Sequence, residues 1–417
     1  MIAVPEADNR IRILGTRGIP GRHGGFESWA EELALFLVKR GWQVTVYCQV
    51  DDGRECELEW RGIRLIHIPA RLGASWGACL FDLKSTLHAM REGGLVLVFG
   101  YNTAILSLLY RLRGIPNLLN MDGMEWKRRK YGFAERTWLR LNEWLGARIA
   151  DHLIADHPGI ERRLTHHVPR QKISVIPYGC RAVEWADPAL LNRFGLAPDS
   201  YALVIARPEP ENSVVEIVRA FGRTRRSVRL VVVGDFGREK HYSRQVLEVA
   251  GEDVLFAGPV YERDDIDALR FHARLYIHGH TVGGTNPALI EALGAGTPVL
   301  AHDNSFNRAV AGSSANYFRD ENECARQFDR LTSPGQRALL AEMGGRGRQR
   351  HERAFVLAER LEQYEQLLRR WRVPARSPVT APLPTRPAPR LDAPRPMSGP
   401  VFAEPERLGV SGRVPTE

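Results

Sequence analysis

Two glycine-rich stretches hold the residues whose types and spacing could do chemistry. The more informative is His278-Gly279-His280-Thr281-Val282-Gly283-Gly284-Thr285-Asn286-Pro287-Ala288-Leu289-Ile290-Glu291-Ala292-Leu293. The apolar run Leu275-Tyr276-Ile277 ahead of it reads as the end of a short buried strand. Pro287 suits the first turn of a helix because it has no N–H to lose. Thr285 or Asn286 is placed to cap that helix, and Ala288, Leu289, Ala292 and Leu293 repeat at helical spacing. A strand, a turn through Gly283 and Gly284 and an exposed helix N-terminus form a site for an anion, because N–H groups and the helix dipole converge there. Glu291 lies about one turn further on. It is badly placed to touch the anion and well placed to accept hydrogen bonds from sugar or ribose hydroxyls beside it. A diphosphate next to hydroxyls describes a nucleotide.

The other stretch, Gly15-Thr16-Arg17-Gly18-Ile19-Pro20-Gly21-Arg22-His23-Gly24-Gly25, follows an apolar strand pattern, Ile11 to Leu14, and leads into a helix. Gly15, Gly18 and Gly21 invite a dinucleotide-binding reading. That fingerprint also needs an acidic residue about 20 positions on, and Asp51 lies more than 30 residues past Gly15. The glycines could simply turn the chain. They are more numerous than one turn needs, so close backbone approach to a ligand is expected, with Gly18, Gly24 and Gly25 as contact points.

The elements that must position these loops alternate. A helix from about Phe26 to Arg40, with Trp29, Leu33, Phe36 and Leu37 on one face and Gly41 as its stop, follows the first strand. Val44–Tyr47, Arg64–Ile68, Leu95–Phe99, Leu118–Asn120 and Leu153–Ala155 read as further strands with helices between. A segment broken by Pro188, Gly195 and Pro198 follows, and a second alternation begins at Ala202–Ala206. It continues through Arg229–Gly234, Val254–Phe256, Leu275–Ile277 and Pro298–Ala301. Short apolar strands alternating with helices predict parallel sheets covered on both faces. The expected fold is therefore α/β: two doubly wound, Rossmann-like domains, 10–180 and 181–350, facing one another across a cleft. A closing helix over 351–372 and a disordered Pro-rich tail over 373–417 complete the expected organisation.

At 417 residues the chain is long enough for two full cores. Five cysteines without a C-x-x-C pair suggest neither a disulfide frame nor a zinc site. No apolar h-region follows Met1 and no run reaches 18 apolar residues, so a cytoplasmic protein without a spanning segment is expected. The +9 formal charge favours an anionic partner without choosing among nucleotide, nucleic acid and membrane.

With both loops in place, the chain resembles retaining glycosyltransferases of the GT-B fold, family 4, and within them the rhamnosyltransferase-like branch of bacterial polysaccharide biosynthesis. The residues that carry the resemblance are Gly15-Thr16-Arg17-Gly18-Ile19-Pro20 with Gly24-Gly25-Phe26-Glu27, then Arg40-Gly41-Trp42-Gln43-Val44-Thr45-Val46-Tyr47-Cys48. Met121-Asp122-Gly123-Met124-Glu125-Trp126-Lys127-Arg128, His278 to Glu291 and Ala301-His302-Asp303-Asn304-Ser305-Phe306-Asn307-Arg308 complete it. It covers roughly residues 10 to 370.

The resemblance implies a nucleotide-sugar donor held mainly by the C-terminal domain and a glycan or lipid-linked glycan acceptor held mainly by the N-terminal one. It implies no cofactor and no obligatory metal. Rhamnose from dTDP-rhamnose is the sugar it suggests, with a UDP- or GDP-hexose as the alternative. A non-catalytic nucleotide- or nucleic-acid-binding protein is the reading from another class. Two departures stand out. Of the family's E-x7-E element only Glu291 remains, the first position being Gly283, and its arginine–lysine clamp appears as Arg207 with Asn212 in place of lysine.

Three residues are the catalytic candidates. Arg207 would stabilise charge on the departing diphosphate, or else pair with Glu209 or Glu211 on the surface. Glu291 belongs with the donor. Asp122 lies just past a strand end, where ligands bind in open α/β sheets, and would contact or deprotonate the acceptor hydroxyl; Asp122-Gly123 is equally a turn pattern. The donor set adds Gly283, Gly284, Thr285, Asn286, His280 and Tyr261, the last in the Gly258-Pro259-Val260-Tyr261 turn that resembles the element lining the nucleobase. Glu27 and Glu125 join Asp122 on the acceptor side, although Glu27 also suits the first turn of its own helix. Trp126-Lys127-Arg128-Arg129-Lys130-Tyr131, with Arg136, Trp138, Arg140, Leu141 and Trp144, is basic and aromatic together. It fits an anionic membrane surface better than nucleic acid, for which no recognition motif exists, and a solvated basic face over core aromatics is close behind. A peripheral position at the inner face of the plasma membrane is the matching expectation.

Overall fold

The computed structural model describes residues 8–372 apart from 22–24, 52, 54 and 72–74 and residue 129. The tail 373–417 and Gly24 therefore lie outside the described residues, as does the side chain of Phe26.

The N-terminal sheet is built from β1 (Arg10–Leu14), β2 (Gln43–Val50), β3 (Cys56–Trp60), β4 (Ile63–Pro69), β5 (Leu95–Phe99), β6 (Asn117–Asn120), β7 (His152–Ala155) and β8 (Ile173–Val175). Their order is β3-β4-β2-β1-β5-β6-β7-β8, parallel except where β3 folds back on β4. The C-terminal sheet contains β9 (Tyr201–Ile205), β10 (Arg229–Val233), β11 (Val254–Gly258), β12 (Leu275–His278), β13 (Val299–His302) and β14 (Ala315–Phe318). Its order β11-β10-β9-β12-β13-β14, all parallel, is the doubly wound arrangement in which the crevice lies outside the carboxyl ends of the strands. Both sheets are buried on both faces, as the near-continuous apolar strands demand: Ile11, Ile13 and Val46 in one and Leu203, Val231 and Tyr276 in the other are fully enclosed.

Three strands escaped the sequence reading. β3 is an exposed edge whose Cys56-Glu57-Leu58-Glu59-Trp60 has only two large apolar residues. Its hairpin turn places Arg61 and Gly62 at φ +50° and +82°, the two positive values that a two-residue turn of this hand needs. β8 spans only 3 residues, and the 4 residues of β14, Ala315-Asn316-Tyr317-Phe318, are mostly half-buried with a polar Asn among them, so neither shows an apolar run. The expected C-terminal helix is two, Arg337–Ala354 and Leu357–Arg370. Between them Phe355 accepts from the Cys180 amide at 2.9 Å, and Val356 bridges Cys180. This contact redirects the last helix onto the N-terminal domain. There the Asn120 amide donates to the Tyr364 hydroxyl at 2.7 Å, and the Trp42 indole donates to Glu365 at 3.2 Å.

Candidate active site

On the C-terminal side the site begins where β12 ends. The helix Pro287–Gly294 is capped by Asn286, whose side chain accepts from the Ala288 amide at 3.1 Å, so Asn286 rather than Thr285 is the cap. Thr285 is spent across the cleft: its N–H donates to Oδ2 of Asp156 at 2.7 Å and its hydroxyl to the Asp156 carbonyl at 2.5 Å. It therefore has no donor left for a ligand, a correction to the expected donor set. The N–H groups of Gly283 and Gly284 keep no partner among the described residues. Gly283 must be glycine, because a Cβ there would meet the Phe306 ring at 2.1 Å.

The N-terminal domain answers with the turn after β6. Asp122 takes φ +44°, which non-glycine residues seldom adopt, and its amide donates to Oδ1 of the Asn120 side chain at 3.0 Å. Gly123 then comes so close to the C-terminal domain that a Cβ would lie 2.1 Å from the Gly283 carbonyl oxygen. Asp122-Gly123 is thus a turn and a domain contact at once. The Tyr101 hydroxyl fixes the following residues, donating to the Gly123 carbonyl at 3.1 Å and accepting from the Glu125 amide at 2.8 Å. Glu125 is buried and pairs with Arg128 at 2.6 Å.

Three carboxyls share this enclosed space. Burial pushes Asp122 up to about 6, with Arg128 pulling it back and Asp156 adding to the rise. Glu125 goes up to about 7 through burial and the neighbouring Asp122 charge, and burial alone lifts Asp156 to about 7. Carboxyls held near neutrality beside cations suit proton transfer at physiological pH.

Arg207 stands over this group from the end of β9. Its charge lowers both Asp122 and Glu125, which places it within electrostatic reach of the turn. It approaches Glu209 at 3.9 Å, but its side chain is 58% exposed, so that pair is worth at most about 1 kcal/mol and leaves the guanidinium free for an anion. Glu211 is buried and makes no pair with it. Glu209 instead receives Lys130 at 3.0 Å and Arg128 at 3.4 Å, both from the opposite domain. Asn212, at the position where the resemblance expects lysine, donates to the Arg207 carbonyl at 2.9 Å and joins Nδ1 of His280 at 2.8 Å. A neutral amide suits this place, since burial and the Arg128 charge drive His280 down to about 4. His278 is buried beneath it, its imidazole also kept neutral by burial.

Glu291 pairs with Arg270 of the helix Arg263–Phe271. Arg270 is itself buried and fixes the carboxylate from behind. Tyr261 is 67% exposed and closes nothing in this structure. The first glycine loop packs closely against its own domain. A Cβ on Gly15 would meet the Phe99 carbonyl at 2.0 Å, one on Gly18 the Cys48 side chain at 2.8 Å, and one on Gly21 the Ser28 amide at 2.7 Å. Glycine at these positions is required by the chain's own close packing. Glu27 is buried in the first turn of the helix Gly25–Lys39, and the neighbouring Glu31 accepts from the Gly21 amide at 2.7 Å.

Sequence reasoning passed over Asp156 and His157. Both follow the end of β7, the same signal that singled out Asp122. His157 caps the helix Pro158–Leu164, accepting from the Gly159 amide at 2.9 Å, and its ring lies 5.0 Å from Phe306. Among the described residues no group of three His, Cys, Asp or Glu side chains is placed to hold a metal ion.

The comparisons with known proteins agree with this architecture. The family described as "Glycosyl transferase 4-like domain" matches residues 24–179, and "Glycosyl transferases group 1" matches residues 193–339. A search of curated proteins finds no match. Among solved structures, a sucrose-phosphate synthase from Thermosynechococcus elongatus is similar with a TM-score of 0.73 and 18% identity, over 87% of this chain and 98% of that one. Anabaena HepE in complex with UDP and glucose gives a TM-score of 0.69 at 17% identity, over 87% of this chain and 99% of that one. An Escherichia coli protein described as trehalose-6-phosphate bound with UDP-2-fluoro glucose gives 0.63 at 10%, over 86% and 98%.

Proposed function

We propose, from the premise that this chain is a glycosyltransferase of the GT-B fold, that it moves a hexose or deoxyhexose from a nucleotide donor with retention of configuration. Rhamnose from dTDP-rhamnose is the donor we favour, on the sequence resemblance, and the acceptor a growing, lipid-linked polysaccharide met at the inner face of the plasma membrane. The observation that supports the reaction most directly is the meeting of two loops. Gly283 and Gly284, with free N–H groups, stand against Asp122 and Gly123 of the other domain, and Arg207 overlooks both.

Departure of the nucleoside diphosphate builds negative charge on its distal phosphate. Arg207 and the two glycine N–H groups are oriented donors in an enclosed space, where such stabilisation is strongest. Glu291, held by Arg270, would accept from ribose hydroxyls. Asp122, or Glu125 beside it, would take the acceptor proton, since both titrate close to neutrality. The reaction as proposed uses no cofactor and no metal.

A UDP-hexose is the second reading, favoured by structural neighbours described in complex with UDP and UDP-glucose. The test is a thermal-shift panel of dTDP, UDP, GDP, ADP and NAD on the wild type and on Glu291→Ala, because a ligand that binds only the folded state raises the melting temperature. One nucleoside diphosphate should raise it, and the variant should lose that shift. A response to NAD alone would remove the glycosyltransferase assignment of the cleft, and a response to UDP but not dTDP would replace rhamnose.

A further inference from the structure

Exposed large apolar side chains are not scattered over this molecule. Among the described residues all but Trp185 and Tyr261 lie on three adjoining helical stretches of the N-terminal domain. On Ser75–Glu92, Trp76, Leu83 and Leu87 face outward; on 104–113, Ile105, Leu108 and Leu112; on Phe133–Ile149, Phe133, Trp138, Leu141 and Trp144. The stretches pack side by side, the middle one against both others. Spacings of three, four and seven residues turn most of these side chains to one face of their helix, while Phe133 stands at the very start of its helix, five residues before Trp138. Leu112 is 74% and Phe133 88% exposed, a cost in water that packing within the chain does not relieve.

Cations edge this apolar surface at both ends. A shallow depression of about 370 Å³ at the start of Phe133–Ile149 is lined by Lys127, Arg136 and Arg140 beside Trp126 and Phe133, with no carboxylate in its wall. At the other end, Arg111 and Lys172 both donate to the Arg148 carbonyl, at 3.3 and 2.9 Å, while the Arg148 guanidinium lies 4.0 Å from the Trp144 ring centre. Tryptophan with an arginine stacked on it suits the headgroup level of a bilayer, apolar body inward and charge at the phosphates. No helix of the described residues is long and apolar enough to cross a membrane, so this surface can lie on a bilayer without any helix spanning it.

We propose that this three-helix face docks the protein on an anionic phospholipid surface, its apolar side chains entering the interface and the two basic ends holding headgroup phosphates. The occupant follows from charge: an apolar strip bounded by guanidinium and ammonium groups matches a lipid surface bearing negative phosphates. It deepens the lipid-linked reading above by naming the surface that would meet the membrane, and its test needs neither donor nor acceptor. Failure here therefore leaves the transfer reaction standing.

The experiment is co-sedimentation of the full chain with vesicles of phosphatidylcholine, alone or mixed with phosphatidylglycerol, at low and high salt. Binding to the mixed vesicles should be about tenfold or more stronger than to the neutral ones and should fall with salt. Leu112→Ser/Phe133→Ser and, separately, Lys127→Glu/Arg140→Glu should each weaken it about tenfold or more at an unchanged melting temperature. If the apolar pair alters folding, the charge pair decides. Binding indifferent to lipid charge, or none, overturns the proposal. So does a dimer in solution that Leu112→Ser/Phe133→Ser dissociates, since a second copy would then cover the face.

Discussion

Arg207 and Asp156 carry opposite kinds of role at the residue scale. Arg207 contributes almost nothing to stability through its long, exposed contact with Glu209. Its removal should leave the melting temperature unchanged and lower kcat by on the order of 10²-fold, as loss of one oriented charge stabiliser does. A normal rate in steady-state kinetics would take Arg207 out of the clamp. Asp156 is structural and titrates. Its carboxyl is raised from 3.8 to about 7, so the protonated form is favoured by the fold. That contribution is complete below pH 4 and is lost as pH rises through 7. Asp156→Asn keeps an acceptor for the Thr285 amide without the charge. Its melting temperature relative to wild type should climb between pH 4 and 7 and level off above. The comparison matters because His157 and His280, both lowered to about 4, act in the opposite sense, with stability lost as pH falls from 6.5. A flat difference would show that Asp156 does not change its ionisation on folding.

The decisive elements are two turns, not two helices. Position 283 has room only for glycine because Phe306 fills the space a side chain would need, and position 123 because the Gly283 carbonyl stands there. Gly123→Ala should hold the domains apart, reducing turnover at least about tenfold, since misplacement by an ångström is enough for such a loss. Small-angle scattering should show a larger radius of gyration; an unchanged radius with full activity would mean that the turn yields. Gly283→Ala should also be impaired, and Phe306→Leu should restore it in part, which separates a local clash from a lost N–H group.

Much at this scale was legible beforehand. Strand, glycines, Asn and Pro announced the helix Pro287–Gly294, because each residue type has a local conformational reason for its place. The fate of Thr285 was not legible, since its partner Asp156 lies 129 positions away. The close packing of the first glycine loop was not legible for a related reason. A glycine required by Phe99 or Cys48 is indistinguishable in sequence from one required by a ligand.

For the whole molecule, the last helix matters most. Leu357–Arg370 belongs in sequence to the C-terminal domain and in space to the N-terminal one, with Asn120 and Tyr364 joined 244 positions apart. Tyr364→Phe removes one hydrogen-bond partner of the buried Asn120 amide, which also meets Tyr178, and should destabilise the protein by about 1 kcal/mol in denaturant unfolding. An effect within error would mean the amide finds another partner.

The sequence by itself determined the local choices: alternating strands and helices, two doubly wound sheets, and the glycine and proline that end β12 in an open helix terminus. These follow from backbone preference and hydrophobic period, which act over a few residues. The tertiary structure decided what those elements are for. It brought Asp122, Glu125 and Asp156 into one enclosed space, gave Glu291 to Arg270, spent Thr285 on the opposite domain and gathered the exposed apolar residues of three helices on one face. Such outcomes depend on distances between residues far apart in the chain, and burial and charge are properties of that arrangement rather than of any residue alone.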